Sequence, residues 1–240
     1  MLSTSKVMAD QIRVAVASNF TSAITELAER FEFKSNHKIV LIFGSTGKHY
    51  AQIKHGAPFD AFLAADIIRP KRLEQEGNAL LGSRFTYAIG RVILWSPSDN
   101  IINSNVDILK NDSLNYASFR HLAIANPKLA PYGKAAEEIL MSLGIWKDIQ
   151  SRIVRGESIG QTFQFIKTGN AELGFVAYSQ LNAKSGPVEG SYWKVPQSFY
   201  TPIEQQAVLL NDNQTAREFL QFIRSEESKK IIQSFGYSVP

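Results

Sequence analysis

The segment IRVAVASNFTSAITELAERFEF, residues 12–33, carries the pattern on which the fold of this chain depends. Its first six residues, 12–17, form a short apolar run with β-branched side chains, which predicts a buried strand that ends at Ser18-Asn19. In residues 21–33 the apolar side chains recur at the spacing of one helix face. The segment therefore predicts one strand followed directly by one helix.

The same unit recurs along the chain. Further strands are predicted at residues 38–43, 59–65, 121–125 and 173–177, and helices around residues 50–53, 70–75, 133–149 and 158–167, with a long closing helix at 213–235. Strands that alternate with helices are typical of an α/β protein with a parallel, doubly wound sheet.

Two long extended segments, residues 87–95 and 203–210, bracket the middle of the chain. We interpret them as crossover strands between two lobes. One lobe then comprises residues 1–88 and 207–240, from both chain ends, and the other comprises residues 89–206. The hinge is expected near residues 87–91 and 203–207.

Composition excludes several classes of protein. The 240 residues include no Cys, so disulfides, thiolate metal sites and Cys nucleophiles are absent. The net charge of +4 comes from scattered basic residues rather than a stripe, so no nucleic-acid partner is expected. The apolar runs are too short for a membrane span, and residues 1–10 lack the pattern of a signal peptide.

Catalytic motifs are not found. The segment GSTGK, residues 44–48, lacks the first Gly and the final Ser/Thr of a phosphate-binding P-loop. His37, His49, His55 and His121 have no metal-ligand spacing. We expect His49 and His55 on an exposed helix face and His121 at a solvated strand end. The chain is therefore predicted not to be an enzyme.

Small and hydroxyl-bearing residues cluster where strands pass into helices. These junctions are Ser18-Asn19, Ser45-Thr46-Gly47, Tyr132-Gly133 and Ser158-Ile159-Gly160. In an open α/β sheet such junctions lie at the carboxyl ends of the strands, where ligands bind. Helix N-termini offer unpaired N–H groups to an anion, although each hydroxyl also fits the simpler role of a helix N-cap.

The four junctions carry no Asp or Glu. A protonated oxyanion such as hydrogen phosphate would need an acceptor, whereas a fully ionised dianion offers only acceptors and is repelled by a carboxylate. Asp66, after the strand at 59–65, is interpreted as a turn or cap residue. The pattern therefore favours a tetrahedral dianion over phosphate.

Several segments resemble the periplasmic molybdate-binding proteins, the substrate-binding components of an ABC transporter. They are VAVASNF (14–20), FGSTG (43–47), GAPFDAFLAAD (56–66), ANP (125–127), PYG (131–133), GNAELGFV (169–176) and the closing residues 219–237. The resemblance implies the two-lobe periplasmic-binding fold of type II, with lobes that close over one molybdate or tungstate ion. It also implies a periplasmic location, a membrane permease as partner, a monomer and no cofactor.

The resemblance places the oxyanion ligands at Ser18, Asn19, Ser45 or Thr46, Tyr132 and Ile159, the last through its backbone N–H. The metal is then held as its oxyanion, without direct metal ligands. Tyr178 is one residue late for a Tyr hydroxyl that some members supply, so it is left out. Sulfate, thiosulfate and phosphate stay open as alternative ligands. Porphobilinogen deaminase, an enzyme with similar lobes, needs a Cys that this chain lacks.

Overall fold

The computed structural model describes residues 10–102, 119–181 and 189–240. Residues 1–9, on which the signal-peptide prediction depends, lie outside the described residues. Within the described ranges no helix is long and apolar enough to cross a membrane.

Ten strands and eight α-helices make up the described fold. The strands are β1 (Gln11–Ala17), β2 (Lys38–Gly44), β3 (Ala61–Ala64), β4 (Phe85–Gly90), β5 (Val92–Ser96), β6 (Leu122–Ala125), β7 (Ile153–Gly156), β8 (Leu173–Ala177), β9 (Ser191–Lys194) and β10 (Ile203–Leu209). The helices are α1 (Thr21–Ser35), α2 (Thr46–Lys54), α3 (Ile68–Gln75), α4 (Pro131–Ser142), α5 (Ile159–Lys167), α6 (Tyr178–Leu181), α7 (Gln214–Ile223) and α8 (Glu226–Ser234).

The strands form two five-stranded sheets of the same design. The first has the order β2-β1-β3-β10-β4 and the second the order β7-β6-β8-β5-β9. In each sheet the three strands at one end are parallel, and the fourth strand, β10 or β5, runs antiparallel to both of its neighbours. The sheets are thus mostly parallel, and the α/β, two-lobe fold class expected from the sequence is confirmed.

The chain passes between the sheets twice. It leaves the first sheet at the end of β4 and enters the second with β5, with only Arg91 between them, and it returns after β9 into β10. We call residues 10–90 and 203–240 the first lobe and the described residues of 92–194 the second lobe. Because β4 extends to Gly90 and β10 pairs with it from Ile203 onward, residues 89–90 and 203–206 belong by strand pairing to the first sheet, whereas the sequence analysis placed them in the second lobe.

Each sheet is covered on both faces, as parallel sheets require. In the first lobe one face packs against α1, α7 and α8 through residues such as Phe31, Phe219 and Ile232. The other face packs against α2 and α3 through Ile53 and Leu73. The second lobe repeats this arrangement, with α4 on one face and α5 on the other.

Two helix predictions were wrong in extent. The helix predicted at 133–149 is α4, which ends at Ser142, because Gly144 adopts a left-handed conformation (φ +77°) that closes the C-terminus. The helix predicted at 213–235 is divided into α7 and α8, because the Ser225 side chain caps α8 by accepting from the Ser228 N–H. Strands β7 and β9 were not predicted.

Candidate functional site

The six residues predicted as oxyanion ligands lie around one small cavity between the lobes. Its lining consists of Ala17, Ser18, Asn19, Gly44, Ser45, Thr46, Ala65, Ala130, Pro131, Tyr132 and Ile159. The cavity is small: about 10 Å³ is open to the centre of a water-sized sphere, far below the roughly 300–1,000 Å³ typical of pockets for organic ligands. Its size therefore suits one small ion.

Strand-to-helix junctions of both sheets supply the lining. In the first lobe β1 ends at Ala17 and is followed by a short 3-10 turn, Ser18–Phe20, while β2 ends at Gly44 just before α2. In the second lobe the N-termini of α4 and α5 follow β6 and β7. The cavity thus lies where the carboxyl ends of parallel strands from both lobes meet, the usual ligand position in α/β sheets.

The lobes are in contact around the cavity. The Gly160 N–H of α5 donates to the Ser18 hydroxyl at 3.1 Å, and the Gly47 N–H of α2 donates to the Leu129 carbonyl at 2.8 Å. The Ser179 hydroxyl donates to the Asn19 carbonyl at 3.0 Å. The structure therefore shows the closed arrangement of the two lobes.

Each of the four hydroxyl groups of the lining accepts a hydrogen bond from a nitrogen. Ser18 accepts from Gly160 N–H, Ser45 from Lys48 N–H at 3.4 Å, Thr46 from Ala65 N–H at 3.1 Å, and Tyr132 from the Gln205 side-chain amide at 3.4 Å. None of the four donates its own proton to a described residue. A hydroxyl that accepts a hydrogen bond keeps its proton, so all four can donate to a ligand in the cavity.

Backbone N–H groups add further donors. Asn19, Thr46, Tyr132 and Ile159 occupy the first or second position of a helix or 3-10 turn, where an N–H has no intrahelical partner. No hydrogen bond joins these four N–H groups to any described residue. Helix N-termini also carry the positive end of the helix dipole, which favours an anion in the cavity.

The lining carries no ionisable acid or base other than the Tyr132 phenol. Burial raises the pKa of that hydroxyl well above its ordinary value, so it keeps its proton. Asp66, predicted as a cap, lies outside the lining; it accepts from the Arg69 N–H at 2.9 Å and pairs with the Arg69 guanidinium. The donors of the cavity are thus neutral groups.

Asn19 takes part in a buried network that the sequence did not reveal. Its side-chain amide donates to Gln205 Oε1 at 2.8 Å and to the Tyr237 hydroxyl at 3.0 Å. Tyr237 in turn lies within hydrogen-bond distance of the Asn19 carbonyl and the Ser179 hydroxyl. The Asn19 Oδ1 atom is buried without a partner among the described residues, so the free donor of Asn19 is its backbone N–H.

Gln205 and Tyr237 were missed as residues of the site environment. Gln205 stands in the polar run Glu204-Gln205-Gln206 of a predicted strand, and a Gln on the inward face of a strand is the signal that could have found it. For Tyr237, which ends the chain's closing segment, the sequence holds no signal of its partners.

The expectation that His49 is exposed was wrong. Its side chain is 1% exposed and packs between Phe59 and Phe62, and its ring nitrogens lie 3.2 Å from the Val16 carbonyl and 3.1 Å from Gln52 Oε1. His49 lies on α2, a helix of nine residues whose sequence is mostly polar. Its side chain can be buried because both ring nitrogens have hydrogen-bond partners. His55 and His121 are exposed as predicted.

Two lobes that close over a donor-lined cavity, without an acid, a base or an activated nucleophile in its lining, define a solute-binding protein. A profile of the family described as bacterial extracellular solute-binding protein matches residues 12–238. The chain belongs to this family.

Individual relatives agree with that assignment. The chain is 44% identical to the molybdate-binding protein ModA of Azotobacter vinelandii, over 96% of this chain and 91% of that protein. It is 43% identical to ModA of Rhodobacter capsulatus, over 95% of this chain and 88% of that protein. The solved structure of the A. vinelandii periplasmic molybdate-binding protein superimposes with a TM-score of 0.90, 37% identity and coverage of 95% and 99%.

More distant structures share the fold alone. The sulfate-binding protein SubI from Mycobacterium tuberculosis superimposes with a TM-score of 0.75 at 14% identity, over 95% of this chain and 86% of that one. Family and relatives together make the chain a periplasmic substrate-binding protein of a transport system, not an enzyme.

Proposed function

We propose that the cavity binds one molybdate or tungstate ion and that the protein delivers the ion to the permease of an ABC transporter. The observation that carries the proposal is the set of four lining hydroxyls, each of which accepts from a nitrogen and has its proton free for a ligand. A tetrahedral dianion has only acceptor atoms and satisfies these donors. The two relatives above 40% identity are named for molybdate.

The proposed ligands are the hydroxyls of Ser18, Ser45, Thr46 and Tyr132 and the backbone N–H groups of Asn19, Thr46, Tyr132 and Ile159. From the sequence we expected one of Ser45 and Thr46 to be a ligand. Both line the cavity and both have their acceptor side occupied by an N–H, so we assign both. No cofactor takes part, and the metal is held as its oxyanion.

Release and capture require the lobes to separate. We propose that they rotate about the hinge at residues 87–91 and 203–207, where Gly90 pairs with Ile203 and Arg91 alone joins β4 to β5. The closed monomer is then the form that docks on the permease, and no nucleic acid is involved.

A thermal-shift panel with molybdate, tungstate, sulfate, thiosulfate and phosphate tests the proposal. A ligand that binds only the folded protein stabilises it by about 2.7 kcal/mol at one hundred times its Kd. We expect clear shifts with molybdate and tungstate and small ones with the other anions at equal concentration. Absence of a shift with both metal oxyanions contradicts the proposal, and a larger shift with sulfate, thiosulfate or phosphate would select that anion instead.

A further inference from the structure

Tyr132 differs from the other three hydroxyls of the cavity in the group that fixes it. The other three hydroxyls, those of Ser18, Ser45 and Thr46, accept from backbone N–H groups. Only a proline at the donor position would remove such an N–H group. Tyr132 accepts from a side chain, the Gln205 amide. The donor character of this one hydroxyl therefore depends on the identity of a single residue outside the lining.

Gln205 is held in one orientation by its other contacts. It is fully buried on β10, where the pairing with β4 slips at a bulge between Gln205 and Gln206. Bulges re-aim side chains next to functional sites. Gln205 Oε1 accepts from the Asn19 amide at 2.8 Å and from the Tyr87 hydroxyl at 3.1 Å, which leaves Nε2 directed at the Tyr132 oxygen.

We propose that Gln205 is the specificity-determining residue of the cavity: its amide keeps the Tyr132 hydroxyl a donor and so disfavours oxyanions that carry a proton. The inference rests on the proposed function of the cavity as an oxyanion site. Without the amide the Tyr132 hydroxyl is free to turn and accept from the hydroxyl of hydrogen phosphate. With it, the phenolic oxygen already receives one hydrogen bond and presents its proton.

Ionisation does not set the polarity of this hydroxyl. Burial raises the pKa of Tyr132 and of Tyr87 well above the ordinary value, and it raises the pKa of Tyr237 as well. These three phenols surround Gln205 and Asn19, and all keep their protons at neutral pH. The direction of the Tyr132 proton is therefore a matter of hydrogen bonding, which Gln205 controls.

The test compares Gln205→Met, which keeps the length of the side chain without its amide, with Gln206→Met as the matched control. Gln206 is the next residue of β10 and bonds to Arg84 and Thr86, away from the cavity. Calorimetric titration with sodium molybdate should show Kd rising about tenfold for Gln205→Met, because the Tyr132 hydroxyl is no longer held as a donor to the ion. Competition by phosphate should become stronger relative to molybdate.

Gln205→Glu is the second variant. It replaces Gln205→Met in the molybdate titration if Gln205→Met does not give the wild-type circular dichroism spectrum. A carboxylate at position 205 accepts the Tyr132 proton and repels a dianion, so its molybdate Kd should rise more than tenfold. Wild-type affinity in a folded Gln205→Glu protein overturns the proposal.

A double-mutant cycle with Tyr132→Phe separates positioning from general damage. The effect of Gln205→Met on molybdate affinity should vanish in the Tyr132→Phe background, since no hydroxyl is left to direct. An equal effect in both backgrounds, or an unchanged ratio of phosphate to molybdate affinity, overturns the proposal. Failure of the proposed function looks different: wild-type protein would then not bind molybdate at all.

Discussion

The Gly160 N–H, at the start of α5 in the second lobe, donates at 3.1 Å to the Ser18 hydroxyl, at the end of β1 in the first lobe. This bond crosses the cleft and ends on an atom that also lines the cavity. The closed arrangement of the lobes therefore places the Gly160 N–H on the Ser18 oxygen and leaves the Ser18 proton for a ligand. A ligand that accepts from the Ser18 hydroxyl is therefore linked through Ser18 to the Gly160 N–H of the second lobe.

Ser18→Ala is expected to weaken molybdate binding by about 1–3 kcal/mol, the range for a hydrogen bond to a charged group, or roughly five- to 150-fold in Kd. The change removes the donor and leaves the Gly160 N–H without its partner. Calorimetric titration of the purified variant measures the change. Unchanged affinity in a folded Ser18→Ala protein removes Ser18 from the site.

Ser158→Ala is the matched control for that experiment. Ser158 lies two residues before Gly160 and caps α5 by accepting from the Gln161 N–H at 3.2 Å, but it does not line the cavity. Loss of the cap should lower the free energy of unfolding by about 1 kcal/mol. Its effect on molybdate affinity should be far smaller than that of Ser18→Ala.

Thr46→Val tests the second junction, because valine has nearly the shape of threonine without its hydroxyl. Thr46 is 1% exposed, and its oxygen accepts from the Ala65 N–H at 3.1 Å. Thr46→Val should weaken molybdate binding by about 1–3 kcal/mol and also lower stability, since the buried Ala65 N–H loses its partner. Thr46→Ser retains the hydroxyl and should recover most of the affinity. Equal affinities of the two variants would show that the hydroxyl does not bind the ion.

The sequence was sufficient for most of the strand-helix units and for bringing the proposed ligand residues to one place. Apolar periodicity marks strands such as β1, and the carboxyl ends of parallel strands must meet at one edge of a sheet, so Ser18 and Thr46 could be placed together. The break between α7 and α8 could not be predicted from the sequence. Both helices bury their apolar faces in one core, so the helical spacing of apolar residues continues across Ser225.

The polar network beneath the site was also beyond the sequence. Gln205 and Asn19 are 186 positions apart, and the slip in pairing between β10 and β4 lies beside Gln205, which no local pattern encodes. His49 was misjudged for a similar reason, since its hydrogen-bond partner Val16 belongs to another element. Buried polar side chains with distant partners follow from tertiary packing alone.

Gly90→Ala should weaken ligand binding from a position outside the cavity. A Cβ atom at Gly90 would lie 2.1 Å from the Tyr132 hydroxyl and 2.8 Å from Gln205 Nε2, closer than atoms can approach. Because Tyr132 belongs to the second lobe and Gly90 to the first, the added methyl group opposes closure. We expect a rise in molybdate Kd of at least tenfold with the wild-type circular dichroism spectrum retained.

Gly82→Ala is not a suitable comparison for Gly90→Ala, because Gly82 has a positive φ of +77° and would be strained by any side chain. Ala88→Gly, two positions earlier on β4, instead tests whether any substitution on this strand weakens ligand binding. It should lower the stability of the protein without contacting the Tyr132 hydroxyl. Wild-type affinity in Gly90→Ala would show that the closed packing of Tyr132 against β4 does not control binding.

His49 should make the folded protein sensitive to mild acid. Its burial lowers the pKa of the imidazole below the ordinary value of 6.5, so the folded protein holds a neutral ring where the unfolded chain binds a proton. Stability is therefore unaffected by His49 above pH 6.5 and is lost as the pH falls from there toward the lowered pKa. Denaturant unfolding of wild type and His49→Gln at pH 7.5 and 5.5 measures this. The wild type should lose more free energy of unfolding between the two pH values than the variant; an equal loss would show that His49 is not the group responsible.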